Sequence, residues 1–253
     1  MEGKVIVVTG AGSGIGRSVC LELVGQKAKV VVADINFESC QETIKLMTEL
    51  DAAVETVAVA CDISSEEDVT RLMQSTVDKF GRIDGAVNNA GILGKMQRVG
   101  DYELADFTKM LDVNVKGTFM CIRSQVRQME KQGPGKYSIV NVSSIAGILG
   151  FPYNSAYSCV KHAILGLTKS TAAEYGAALG VRCNAMLPGA ADTPMLRQYI
   201  PTDAAAQQLK AHTPLGRTCE PSEIAKPIVF LLSEQSSFVT GQNLIADGGL
   251  SIV

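Results

Sequence analysis

The chain has 253 residues, 46% of them hydrophobic, enough to fill the core of one large α/β unit. Its formal net charge of −3 gives no basic footprint for nucleic acid, and no apolar run reaches the roughly 18 residues that a membrane helix needs. Seven cysteines without a CxxC pair and two histidines, His162 and His212, leave few ligands for a zinc site. No metal is therefore expected, and free thiols point to a reducing, cytoplasmic setting. The amino terminus, MEGKVIVVTGAGSG, runs from a short apolar stretch straight into glycines, which is not the plan of a signal peptide.

Short runs rich in valine and isoleucine occur at 4–10, 29–34, 54–60, 83–89, 137–143 and 181–187. They are too short for helices and apolar on both faces, as strands of a buried parallel sheet are. Helices are predicted between them near 14–26, 38–49, 65–80, 104–131 and 155–178, the third opened by Ser64, Ser65 and Glu67 as a cap. This alternation predicts a doubly wound parallel sheet, a Rossmann fold, as a single three-layer α/β/α domain over 1–253. The segment 190–216 interrupts the pattern, and its Pro194, Pro201 and Pro214 after a strand end are read as a mobile flap over a site.

Gly10-Ala11-Gly12-Ser13-Gly14-Ile15-Gly16 lies between the first strand and the first helix. In that place glycines let the backbone approach a pyrophosphate while the helix N–H groups face its charge. Asp34 ends the second strand, where a carboxylate accepts hydrogen bonds from an adenosine ribose and repels a 2′-phosphate. Neither Ser13 nor Ile35 supplies the cation that NADP requires, so NAD is the expected cofactor, although Arg17 lies close enough to reach a phosphate.

Tyr157 and Lys161 stand four residues apart, on one face of a helix. A phenol is a poor base near neutrality, and a neighbouring ammonium favours its ionised form. Ser143-Ser144 ends a strand thirteen residues upstream, at the sheet edge where α/β proteins hold ligands. The spacing favours Ser144 over Ser143 as a hydrogen-bond donor. His162 points to a different helical face from Lys161, and Cys159 has no base placed to activate it.

Thr9 through Gly16, Asp62, Asn88-Asn89-Ala90-Gly91, Asn114, Ser144, Tyr157 with Lys161, Pro188-Gly189 with Thr193, and Asp247-Gly248-Gly249 together identify a resemblance. Over essentially its whole length the chain resembles the short-chain dehydrogenase/reductase family. The resemblance implies Tyr157 as acid/base, Ser144 as donor to the substrate oxygen, and Lys161 as partner of the nicotinamide ribose. Asn114 would hold a water that relays protons from Lys161; read alone, it is also a polar residue that kinks its helix. Cofactor contacts would come from Gly10, Ser13, Gly14, Ile15, Gly16, Asp34, Ile35, Tyr157 and Lys161. Further contacts would come from Cys61, Asp62 and Ile63 around the adenine, and from Asn89, Ala90, Gly91 and Val113. Pro188, Gly189, Ala191, Thr193 and Met195 would face the nicotinamide. One departure stands out: where the family commonly has a β-branched residue, Ala190-Ala191 leaves more room.

The expected substrate wall includes Ser144, Ile145, Leu93, Leu149, Tyr153, Leu196 and Tyr199, a lining suited to an apolar or alicyclic secondary alcohol or ketone. Lys95, Arg98 and Arg197 are the cations that could instead grip an anion. A homotetramer is implied by the resemblance, with Met120, Ile122, Leu165 and Leu167 read as apolar surface on the long helices. The rival readings are an NADPH-dependent 3-oxoacyl carrier-protein reductase, a nucleotide-binding scaffold without turnover, and a non-redox enzyme that keeps the nucleotide.

Overall fold

The computed structural model describes residues 1–200 and 202–252, and of Tyr199 the backbone alone; Pro201, read above as part of the flap, lies outside the described residues. The first half runs β1 (Val5–Thr9), α1 (Gly14–Val24), β2 (Lys29–Asp34), α2 (Phe37–Leu50), β3 (Thr56–Ala60), α3 (Glu66–Phe80) and β4 (Gly85–Asn88). The second half carries α4 (Leu104–Met110), a π-helical segment (Leu111–Gly117), α5 (Thr118–Gln132), β5 (Tyr137–Val142), α6 (Ser155–Leu179) and β6 (Val181–Pro188). It closes with α7 (Pro194–Tyr199), α8 (Asp203–His212), α9 (Pro221–Leu232) and β7 (Asn243–Ala246).

The strands form one parallel sheet in the order β3-β2-β1-β4-β5-β6-β7. Side chains alternate between its faces with period two, and both faces are dry. Ile6, Val8, Val30 and Val32 pack with Leu23 of α1, Met47 of α2 and Ile228 of α9. Val5, Val7, Val31 and Ala33 pack on the other face with Leu72 of α3 and Ile122 of α5. These two apolar layers make the three-layer domain the valine runs imply.

Four elements lay beyond the expected set: α7 and α8 fall within the segment 190–216 read as a flap, and β7 and α9 follow it. β7 adds a seventh strand, and α9 covers the sheet beside α1. The helix expected over 104–131 is broken by the π-helical segment, which opens the backbone ladder around Asn114. The cap of α3 is Ser65, whose Oγ accepts from Asp68 N at 3.2 Å. A correction concerns the helix surfaces: Met120, Ile122 and Leu165 are buried within the chain's own core, whereas Leu104 and Phe119 are the large apolar side chains exposed there. No described helix is long and apolar enough to cross a membrane.

The sheet grows outward from β1 in one direction to β3 and in the other through β4 to β7. That reversal leaves a crevice at the carboxyl ends of β1 and β4, where ligands of such sheets bind.

Candidate active site

A cleft of about 500 Å3 opens at that crevice. On one side lies the glycine turn. Its helix, α1, has no side-chain cap at Ser13 and no carboxylate in its first turn, so its N–H groups face the cleft for an anion. Gly16 is required by proximity, because a Cβ there would lie 2.1 Å from the Gly10 carbonyl oxygen. Asn89 clamps the turn from β4, donating through Nδ2 to the carbonyls of Thr9 at 3.1 Å and Gly10 at 3.0 Å. Asp34 lines the cleft; its carboxylate accepts from Gly12 N at 2.9 Å and Asn36 N at 3.0 Å. A carboxylate offers about four acceptor positions, so capacity remains for ribose hydroxyls. Arg17 donates to the Gly12 carbonyl of the turn and also bonds Glu42 at 2.6 Å and Thr43 at 3.1 Å.

The far end of the cleft holds the polar groups of β5 and α6. Lys161 is buried, donates to the Val142 carbonyl at 3.1 Å, and sits 5.5 Å from the centroid of the Tyr157 ring. Burial pulls its ammonium down to about 8, still charged at neutral pH. Ser143 and Ser144 divide the work of their position. Ser143 is buried and donates to the Lys161 carbonyl at 2.8 Å, pinning α6 to β5. Ser144 lines the cleft with Tyr157, and its Oγ accepts from Ala146 N at 3.1 Å, which aims the hydroxyl proton elsewhere.

Asn114 is fully buried in the π-helical segment. Its Oδ1 accepts from Ile92 N at 3.1 Å and its Nδ2 donates to the Ile92 carbonyl at 3.1 Å. It therefore fixes the chain just beyond β4. A Cβ on Gly91 would come within 2.5 Å of Asn114 Oδ1 and 3.8 Å of Lys161 Nζ, so Asn114, Gly91 and Lys161 share one small region.

The structure brings most of the expected residues together. Gly10, Ser13, Gly14, Ile15, Ala90 and Gly91 line the cleft, as do Pro188, Gly189, Ala191, Thr193 and Met195. On the substrate side Leu93, Ser144, Ile145 and Leu196 do so too. Others lie apart. Ile35 is 72% exposed beyond Asp34. Cys61 is buried in the core, which pushes its thiol up to about 12, and Ile63 packs against Gly117. The Asp62 carboxylate accepts from both the N–H and the hydroxyl of Ser64, shaping the turn before α3. Val113 packs in the lower core layer. Leu149 and Tyr153 are outside the cleft lining, and Tyr199 has no described side chain.

Val142, Ala146, Phe151, Asn154, Ile200, Leu209 and Leu250 also line the cleft. Leu250 is 93 residues from Tyr157 in sequence, and only the return of the chain through β7 brings it back. The cations that could have gripped an anion are diverted: Lys95 pairs with Asp106 at 2.6 Å and Arg197 with Asp192 at 2.9 Å. None of Lys95, Arg98 and Arg197 lines the cleft. Among the described residues no three His, Cys, Asp or Glu side chains converge as a metal site.

A nucleotide-binding crevice with an adjoining phenol, ammonium and hydroxyl defines an oxidoreductase-type site on a doubly wound sheet. Comparison with known proteins agrees. Residues 10–251 match the family described as Enoyl-(Acyl carrier protein) reductase. A 2,5-dichloro-2,5-cyclohexadiene-1,4-diol dehydrogenase of Sphingobium indicum is 42% identical over 100% of this chain and 99% of its own. The crystal structure of a levodione reductase superposes with a TM-score of 0.95 at 35% identity, covering 100% of both chains. A 3-ketoacyl-(acyl-carrier-protein) reductase from Brucella melitensis, solved with NADH, superposes with a TM-score of 0.91 at 33% identity over 99% of both chains. The chain belongs to the short-chain dehydrogenase/reductase family. It is an enzyme of the dehydrogenase/ketoreductase type.

Proposed function

We propose that the protein is an NAD-dependent dehydrogenase of neutral, cyclic secondary alcohols, run in reverse as a ketone reductase. One observation carries this reading: a single cleft is lined by Asp34, by the uncapped start of α1, and by Ser144, Tyr157 and Lys161. The relative with 42% identity acts, by its name, on a ring diol, which supports a ring as the reacting unit.

The residues present fit a nicotinamide dinucleotide. The N–H groups of α1 take its pyrophosphate, Asp34 takes the adenosine ribose, and Thr193 and Met195 flank the nicotinamide end. When bound, that group accepts or returns the hydride. Tyr157 takes the alcohol proton, and Lys161 beside its ring favours the phenolate electrostatically. Ser144 donates its hydroxyl proton to the substrate oxygen as charge develops there. Asn114 fixes the Ile92 backbone beside Gly91 and Lys161, where a bound water would let the ammonium exchange protons with solvent.

Residues 190–216 act as a flap. Its base is tied by Asp192 N to the Cys219 carbonyl at 2.9 Å, while α8 contributes no buried residue. Such lightly packed segments open at low free-energy cost. The exposed Leu104 of α4 and Phe119 of α5, with Phe238 and Ile252 toward the carboxyl end, support a homotetramer with two kinds of apolar contact. All seven cysteines are free, which supports a reducing, cytoplasmic setting.

The test is oxidation of a panel of cyclic, linear, sugar and acyl-thioester substrates with NAD and with NADP, read as nicotinamide absorbance. Turnover of cyclic alcohols with NAD is expected. Turnover restricted to acyl thioesters with NADPH would replace this reading with that of a 3-oxoacyl carrier-protein reductase.

A further inference from the structure

The cleft continues past part of its apolar wall. A second cavity of about 790 Å3 adjoins it, and Phe151, Ile200, Leu209 and Leu250 line both. Beyond that shared wall lie Met96, Ala205 and the exposed His212. We propose that this second cavity receives the remote part of the substrate, and that the substrate is a neutral cyclic alcohol or ketone carrying an apolar extension, such as a second ring. The inference rests on the reading of the main cleft as the site of alcohol oxidation.

Geometry sets the direction of the extension. The reacting carbon must lie against Ser144 and Tyr157, which line the first cavity alone. The glycine turn and the β1, β2 end of the cleft are taken by the dinucleotide. Substrate atoms distant from the reacting carbon are therefore directed toward Phe151, Leu209 and Leu250, the residues both cavities share.

Chemistry sets the character of the extension. Among the described residues, no Asp, Glu, Lys or Arg lines the second cavity. A phosphate or carboxylate there would lose hydration without gaining a counter-ion. The nearest cation in sequence to Met96, Lys95, is held by Asp106 at 2.6 Å. His212 uses Nδ1 toward the Gln208 carbonyl at 2.7 Å, a bond within α8.

The walls are also tied in place. Gln97 N donates to the Tyr153 carbonyl at 2.9 Å and Lys95 N to the Tyr102 hydroxyl at 3.3 Å, fixing the loop that carries Met96. Opposite, Leu215 N donates to the Gly248 carbonyl at 3.1 Å, holding the end of the flap against the segment that carries Leu250. Met96, Phe151 and Leu250 are its fixed side, and α8 of the flap supplies the other, so the cavity takes this shape with the flap closed.

The experiment compares kcat/KM with NAD for cyclohexanol, 4-methylcyclohexanol, 4-tert-butylcyclohexanol, 4-cyclohexylcyclohexanol and 4-hydroxycyclohexanecarboxylate. Each fully buried methylene is worth at most about fourfold. A rise of at least about tenfold from cyclohexanol to the two-ring alcohol is expected, with the carboxylate below cyclohexanol. Ala205→Phe and Ala211→Phe, which fill the second cavity alone, should remove most of that rise and leave cyclohexanol turnover unchanged. Equal kcat/KM for the one-ring and two-ring alcohols would overturn the proposal, as would variants that slow both alike. Failure of the underlying reading shows differently, as no oxidation of any alcohol in the series, and it would overturn this proposal as well.

Discussion

Lys161 lies with its Nζ 5.5 Å from the centre of the Tyr157 ring while donating to the Val142 carbonyl at 3.1 Å. One turn of α6 thus sets an ammonium beside a phenol, and the end of β5 keeps it there. Ser143 reinforces the joint by bonding the Lys161 backbone. Tyr157→Phe keeps the ring and removes the exchangeable proton. It should lower kcat by about 10²–10⁴, the range for losing a general acid–base group. NADH affinity, followed by fluorescence titration, should change little. A variant that retained wild-type turnover would remove Tyr157 from the reaction.

Burial of Lys161 also predicts a pH dependence of stability. Its ammonium is held at about 8, against 10.5 for the solvated side chain, so between these values the unfolded chain binds more protons. Stability should rise with pH across that window. Below it the penalty for the buried charge is fully felt; above it the folded side chain is neutral, and the penalty is gone. The shift corresponds to on the order of 3 kcal/mol. Urea unfolding of the cofactor-free protein at pH 7 and pH 10 should show this gain over Lys161→Met. Parallel curves for the two proteins would count against it.

Asp34 accepts from Gly12 N and Asn36 N and lines the cleft where the second ribose belongs. Asp34→Ala removes a charged acceptor, and such hydrogen bonds contribute about 1.5–3 kcal/mol. The kcat/KM with NAD should fall by roughly tenfold to hundredfold, with NADP turnover rising relative to it. Unchanged cofactor preference would show that Asp34 serves the turn alone.

Much of this was legible in the sequence because the relevant spacings are local. The glycine turn, Asp34 at a strand end and the Tyr157–Lys161 pair each sit within one strand–turn–helix unit. The exceptions have physical causes. β7 is an edge strand whose apolar run is only Leu244-Ile245-Ala246, and α9 contains Pro227, which argues against a helix. Its signals were nonetheless present: Pro221 at the first position, with Glu220 and Glu223 as a reciprocal cap. The inward burial of Met120 and Ile122 depends on helix rotation, which the π-helical segment alters just before α5. Leu250 reaches the cleft through tertiary return, a relation that no local pattern carries.

Tyr153 has a φ of +64°, a left-handed conformation unusual for a bulky residue. The Gln97 bond to its carbonyl and the burial of Asn154 hold it there, one turn before Tyr157. Its side chain is largely exposed, so little packing opposes a change. Tyr153→Gly should raise stability by about 1 kcal/mol, seen as a higher urea midpoint at constant slope. A lower midpoint would mean that the tyrosine side chain, rather than the backbone, decides this position.

The central claim is that this cleft transfers hydride from a ring carbinol while Tyr157 removes its proton. It is tested most directly with cyclohexanol deuterated at the carbinol carbon, incubated with the enzyme and NAD. The account predicts one deuterium in each NADH formed, with almost none formed by Tyr157→Phe. Ketone or other product appearing while the nicotinamide stayed unlabelled would contradict it.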